Sequence, residues 1–249
     1  MDPRLVRELL ERVRGSDVSV DDALEALRAL PFRDIGVAAV DHHRALRQGV
    51  PEVIFGEKKS VDQIARITEE LARGGHNVLV TRVDPEKAAA LLSRLPAFRH
   101  SPEARTLWLP VAEVPRRARG PVAVVTAGTS DIGVAEEAVE TLASVGLEAS
   151  RFYDIGVAGI HRLFHRLDDL RRAAAVIVVA GMEGALASVV GGIVAAPIVA
   201  VPTSVGYGTA LGGFTALFAM LTSCASGVVV VNIDSGFGAA MAVHRILKD

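Results

Sequence analysis

The stretch AVIVVAGMEGALASVVGGIVAAPIVAVPTSVGYG, residues 175–208, decides the fold. Its first six residues are an unbroken apolar run, and continuous rather than alternating apolarity marks a strand covered on both faces. A glycine-bracketed turn follows, then a helical stretch from about Gly184. A second apolar strand, 198–201, ends at Pro202. Strand, helix and strand at these lengths form a βαβ unit and imply parallel pairing. The same beat continues outwards. Upstream, the spacing predicts strands over 121–126 and 147–153 and helices over 131–145 and 157–172. Downstream it predicts a helix over 212–223, a buried strand over 227–231 (GVVVV) and a closing helix over 236–247. Residues 121–249 therefore read as a doubly wound, three-layer α/β domain whose ligand crevice lies at the carboxyl ends of its strands.

Residues 1–115 read as a smaller α+β domain. Amphipathic helices are predicted over 5–14 and 20–30, the second capped by Ser19. Further helices are predicted over 61–73 and 85–95, the latter with Asp84 as cap and Pro85 in its first turn. Strands are predicted over 35–40, 53–55, 78–81 and 106–109. The basic, proline-bracketed stretch 114–121 reads as the linker.

Composition excludes several classes of function. There are 27 Lys+Arg against 29 Asp+Glu, a net charge of -2, which is not the balance of a dedicated nucleic-acid binder. Half the residues are hydrophobic, so the chain is no disordered segment. A single cysteine, Cys224, allows no internal disulfide, and the first residues lack a signal-peptide pattern, so a cytoplasmic location is expected. From Gly184 to Ile233, about fifty residues, there is no charged side chain. Glycines and prolines interrupt the run every few residues and aromatic belts are missing, so no membrane span is expected.

The chemistry-bearing residues cluster at predicted strand ends. Gly128, Thr129, Ser130 and Asp131 stand between a strand and a helix, where amides and hydroxyls suit a phosphate, or where Ser130 or Asp131 simply caps the helix. Glu183 is the last charge before the neutral run. Desolvation there would raise its pKa and suit a general acid or base, whereas a carboxylate at a helix N-terminus is the plainer reading. Thr203 and Ser204 line a possible pocket loop, and Asp234 ends the next strand. Cys224, taken alone, reads as an inert core thiol or a nucleophile. His161 and His165 share a helix face but find no third metal ligand in the spacing. Asp41, His43, Arg44 and Lys59 form polar clusters suited to an anionic ligand or to an exposed loop.

TAGTSD (126–131), IGVAGIHR (155–162) and the glycine-rich loops make residues 121–249 resemble the PurE-type aminoimidazole ribonucleotide carboxylase/mutase fold. DHHRALRQGVPEVIFGEKKS (41–60), GMEGALASVVGG, PTSVGYG and SCASG…NIDSGFGA resemble the LarB family, over nearly the whole chain. That resemblance implies carboxylation of nicotinic acid adenine dinucleotide at ring carbon 5 and cleavage of its phosphoanhydride. The products are pyridinium-3,5-biscarboxylate mononucleotide and AMP, which begin nickel-pincer cofactor synthesis. It further implies Cys224 as nucleophile, Glu183 as base, and Thr129–Asp131 as the phosphate loop. Asp41, His43, Arg44 and Lys59 are carried as substrate-binding or hydrolysis residues. Carbon dioxide or bicarbonate is the second substrate, no cofactor is demanded by the sequence, and Mg2+ is an option for anhydride cleavage. The implied assembly is a homo-octamer with no nucleic acid or membrane partner. The competing expectations are a PurE-type mutase, which needs no thiol, and a nucleotide-binding sensor that releases no AMP.

Overall fold

The computed structural model describes residues 3–27, 32–116 and 119–247, with side chains from residue 6 onward. Two compact units divide the chain at Glu113 and Val114. Arg117 and Ala118 of the basic stretch, and residues 28–30 of the predicted second helix, lie outside the described residues.

The first unit runs α1 (Pro3–Arg14), α2 (Val20–Leu27), β1 (Arg33–Asp34), β2 (Ala39–Val40), α3 (Arg44–Gln48), β3 (Ile54–Phe55), α4 (Val61–Arg73), β4 (Val78–Thr81), α5 (Pro85–Arg94), β5 (Arg99–Ser101) and β6 (Thr106–Leu109). Its main sheet has the order β3-β4-β6-β5, parallel only between β3 and β4. The capping expectations hold. The backbone N–H of Lys87 donates to Asp84 Oδ1 at 2.8 Å, and Asp22 N–H to Ser19 Oγ at 3.0 Å. The single strand expected over 35–40 is instead a two-residue hairpin pair, because Gly36 at φ 81° turns the chain and Ile35 N–H closes on Ala38 O. Strand β5 carries no apolar run and escaped the sequence reading.

The second unit runs β7 (Val122–Thr126), α6 (Ile132–Ser144), β8 (Ala149–Phe152), α7 (Ile160–His165), α8 (Leu167–Arg171), β9 (Ala175–Ala180), α9 (Ala185–Ile193), β10 (Ile198–Pro202), α10 (Phe214–Leu221), β11 (Val228–Val230) and α11 (Gly236–Ile246). Five parallel strands form one sheet in the order β11-β10-β9-β7-β8. This is the doubly wound α/β fold expected from the alternation. On one face, Leu163, Leu170, Leu186, Val190 and Met220 from the helices close over Val125, Val176, Val178 and Ala200. On the other, α6 and α11 pack on each other and on β7, β9 and β10.

Three expectations need correction. The single helix expected over 157–172 is a short turn followed by α7 and α8, which break at Arg166, where φ -106° and ψ 9° leave the helical region. The strand GVVVV is not buried: β11 is an edge strand and Val229 is 50% exposed. Apolarity alone cannot tell an edge that another surface covers from a central strand. The helix expected over 212–223 begins only at Phe214. Leu211, Gly212 and Gly213 all take positive φ, which breaks the preceding turn from the helix.

Candidate active site

The strand order reverses at β7. The chain leaves β7 for β8 on one side and returns past it to β9 on the other, so the loops after β7 and β9 diverge and open a crevice. A cleft of about 280 Å³ lies there, lined by Gly128, Ser130, Asp131, Gly156, Arg162, Met182 and Glu183, among others.

Glycine makes its floor possible. A Cβ on Gly181 would stand 2.3 Å from Val205 O and 2.7 Å from Thr203 Oγ1, and one on Gly156 2.5 Å from Ala127 O. Two pairs of loops thus cross at backbone contact, where any side chain would push them apart.

One carboxylate ties three strand ends together. Asp131 is 3% exposed. Its Oδ1 accepts the hydroxyl of fully buried Thr203 at 2.7 Å, and its Oδ2 accepts Gly128 N–H at 3.0 Å. Burial pushes its pKa above the ordinary carboxylate value. The bonds from Thr203, Gly128 and Gly181 pull it partly back, and the Asp234 carboxylate adds to the rise. Asp131 and Thr203 thus hold the loops after β7, β9 and β10 in register. This differs from the direct substrate contact expected of Thr203, whose hydroxyl is sealed from solvent and already engaged.

Arg162 is the one cation lining the cleft among the described residues. Its Nη1 donates to Asp154 Oδ2 at 2.6 Å, and Asp154 N–H donates to Thr126 Oγ1 at 3.0 Å, which anchors the pair to the end of β7. Arg162 did not enter the expected site. Its signal was present in IGVAGIHR, the segment read only as a family likeness.

The remaining expected residues fall in four places. Gly128, Ser130 and Glu183 line the cleft, with Thr129 exposed in the short turn that leads into α6. Glu183 is exposed, so the desolvation expected for it is not supplied by the single chain. Exposed Ser204 donates its N–H to Asp234 Oδ1 at 2.8 Å, at the ends of β10 and β11 beside the cleft lining.

Cys224 is exposed, but it sits before β11, in the loop after α10, at the amino end of the sheet. Through the register, Val228 is level with Ile198 and Val176. Ala180 at the cleft is four residues further along, a rise of about 13 Å. One chain therefore does not bring Cys224 to Glu183.

Asp41, His43, Arg44 and Lys59 belong to the first unit. Burial pushes the Asp41 pKa up, but the hydrogen bond and charge of Arg47 outweigh it and leave the value below normal. Arg47 Nη2 reaches Asp41 Oδ2 at 2.5 Å, and Arg47 Nη1 lies 3.0 Å from His43 Nδ1. His161 and His165 are both exposed on α7. Among the described residues no three His, Cys, Asp or Glu side chains gather as a metal site, and no helix is long and apolar enough to cross a membrane.

Comparison with known proteins extends these observations. Residues 32–111 match the family described as LarB/PurE-like N-terminal domain, and residues 121–249 match AIR carboxylase. An uncharacterized protein of Methanocaldococcus jannaschii is 39% identical over 251 residues, covering 98% of this chain and 97% of its own length. PurE of Treponema denticola shares 23% identity at a TM-score of 0.44, covering 52% of this chain and 82% of that one. A PurE2 substitution variant from the same organism gives 24% and 0.44, over 52% and 81%.

Proposed function

The chain belongs to the LarB family of LarB/PurE-like carboxylases, with an AIR carboxylase domain as its second unit, and on that premise we propose that it carboxylates and hydrolyses nicotinic acid adenine dinucleotide. What carries the proposal is the pairing of these two domains in one chain that also holds a single, exposed cysteine.

A pyridinium ring is electron-poor, and its carbon 5 cannot attack carbon dioxide. Addition of the Cys224 thiolate to the carbon beside the ring nitrogen pushes the π electrons towards nitrogen. The resulting dienamine is nucleophilic at carbon 5. Carbon 5 then bonds to the carbon of carbon dioxide and a second carboxylate forms on the ring. Glu183 removes the proton from carbon 5, the electron pair restores aromaticity, and the C–S bond breaks to return the thiolate. Sulfur suits both steps, being a strong nucleophile and a good leaving group. Water adds across the phosphoanhydride to release AMP and leave the biscarboxylated mononucleotide.

The cleft residues fit the mononucleotide half. Thr129 and Ser130 present hydroxyls and amides at the start of α6, and Arg162, held by Asp154, offers a charge-assisted bond to a phosphate or ring carboxylate. Asp131 and Thr203 position these loops from beneath. The protein works as a closed homo-oligomer, an octamer. Asp41, His43, Arg44 and Lys59 serve the adenylate half or its hydrolysis.

The test is mass spectrometry of products from nicotinic acid adenine dinucleotide and labelled bicarbonate. Labelled biscarboxylated mononucleotide with AMP is expected from the wild type and not from Cys224→Ala. Equal product from both would remove the thiol from the mechanism. No product from folded wild type would remove the substrate.

A further inference from the structure

We propose that the loop after β2, together with Arg44 and Arg47 of α3, is a phosphate-binding site in which His43 donates a hydrogen bond and takes no proton. Only the occupant, the adenylate phosphate of nicotinic acid adenine dinucleotide, rests on the reading above. The anion site stands without it.

The motif DHHR, residues 41–44, divides into one inner and several outer side chains. His42 turns inward and is buried. Its Nε2 lies 3.0 Å from Oε1 of Glu70 on α4, which is buried as well. Glu70 Oε2 accepts Arg73 Nη1 at 2.6 Å. The His42 ring stacks on that of buried His76, with centroids 6.1 Å apart. Gly74 leaves room for it, since a Cβ there would stand 3.1 Å from His42 Nδ1. This anchor fixes the backbone between Asp41 and His43. Asp41 N–H donates to Glu52 Oε2 at 2.8 Å, and His43 N–H donates to Asp41 Oδ1 at 3.1 Å. The outer side chains are thus placed before any ligand arrives, which lowers the ordering cost of binding.

Arg47 decides what the outer side chains can do. A guanidinium only donates, so His43 Nδ1, 3.0 Å from Arg47 Nη1, is the acceptor. The ring proton therefore sits on Nε2, and among the described residues nothing engages that nitrogen. Arg47 Nη2 also donates to Asp41 Oδ2 at 2.5 Å. Burial raises the Asp41 pKa, but Arg47 more than offsets this and leaves a weakly basic carboxylate. Both candidate bases are thus occupied by one arginine, and neither is suited to activating water. What the cluster offers instead is donors. They are His43 Nε2–H and the Arg44 guanidinium, which is engaged only through Nε, with Gln48 Oε1 at 3.4 Å. Converging charged and neutral donors fit the oxygens of a phosphate. Of binding and hydrolysis, this arrangement suits binding. Lys59 lies outside the site. It precedes the leading end of α4, whereas His42 abuts Gly74 at the other end, thirteen helical residues or about 20 Å away.

Two experiments on the full-length protein test this without turnover. In calorimetric titrations with AMP and, separately, with inorganic pyrophosphate, the wild type is expected to bind both. Arg44→Ala is expected to weaken both roughly tenfold or more, as loss of a charge-assisted hydrogen bond does. His43→Ala should weaken them less. His43→Gln, whose side-chain amide N–H stands in for Nε2–H, should recover most of that loss. The second experiment uses diethyl pyrocarbonate, which acylates an unprotonated ring nitrogen, followed by peptide mass spectrometry. Exposed His161 and His165 serve as internal standards. Arg47→Met keeps the apolar stem and removes the donor, so it should speed modification of His43 several-fold against those standards. Failure to bind either anion overturns the site, as does an affinity that Arg44→Ala leaves intact. Equal losses in His43→Gln and His43→Ala overturn the donor role, as does a His43 rate that Arg47→Met leaves unchanged. Binding of pyrophosphate without AMP keeps the anion site and overturns its adenylate occupant. Protein that binds AMP in this pattern yet makes no product upholds the site and sinks the chemistry proposed above.

Discussion

The two helical layers of the second unit are finished to different degrees. On one side, α6 and α11 meet so closely that a Cβ on Gly236 would stand 2.1 Å from Val134 O. Glu137 of α6 is buried there and accepts the N–H of Phe237 at 3.1 Å, which satisfies a free donor at the start of α11. On the other side, α9 closes over the sheet, but α10 leaves two phenylalanines and a leucine in water. Both layers are apolar in sequence. What separates them is whether the apolar face finds its partner inside the chain, and only a layer left open can exchange residues with another copy.

Substitutions on the closed side should therefore cost folding, and those on the open side should cost assembly. The largest effect is expected from Gly236→Ala, whose methyl has no room against the α6 backbone: a loss of about 3 kcal/mol in denaturant unfolding, or no folded protein. A tolerated alanine would show the layer to be looser than its contacts. Next comes Thr203→Val, which leaves a buried Asp131 oxygen without its donor, at about 1–3 kcal/mol. It should also lower kcat more than it raises KM, with Thr203→Ser restoring both. Recovery by valine would reduce Thr203 to filler. Glu137→Ala is expected to cost about 1 kcal/mol, as loss of a helix-capping acceptor does.

The buried Asp131 adds a pH test of the cleft floor. Its folded pKa lies above the unfolded one, so the folded state binds the proton more tightly. The charged form penalises folding at neutral pH, and that penalty fades as pH falls through the raised value towards the ordinary one near about 3.9. Wild type should gain stability relative to Asp131→Asn across that window. A constant difference would mean the carboxylate is not desolvated. The smallest folding effect is expected on the open side: Phe218→Ser should change single-chain stability by under about 0.5 kcal/mol while weakening assembly.

Much of this architecture was legible in the sequence because each strand of the second unit is a continuous apolar run flanked by glycine. β9 and β10 were found almost to the residue, and the cleft fell where their ends predicted it. What escaped did so for physical reasons. The edge character of β11 depends on which strand lies beside it, a long-range fact that VVV does not encode. The sealing of Thr203 against Asp131 joins residues 72 positions apart. Arg162 was visible as a letter, but its aim depends on Asp154 at φ 56°. The placement of Cys224 at the far end of the sheet follows from the direction of α10, and local motif reading carries no direction.

Mixing two inactive variants tests the proposed reaction most directly, because one chain keeps Cys224 and Glu183 at opposite ends of the sheet and the proposed oligomer must bring them together from different copies. Cys224→Ser and Glu183→Gln are each expected to make no biscarboxylated mononucleotide. Allowed to exchange subunits, an equal mixture should recover roughly a quarter of wild-type activity, because half the pairs are mixed and each carries one intact site. A mixture that exchanges subunits, by mass spectrometry of intact assemblies, yet stays inactive beside an active wild type would contradict a site shared between copies.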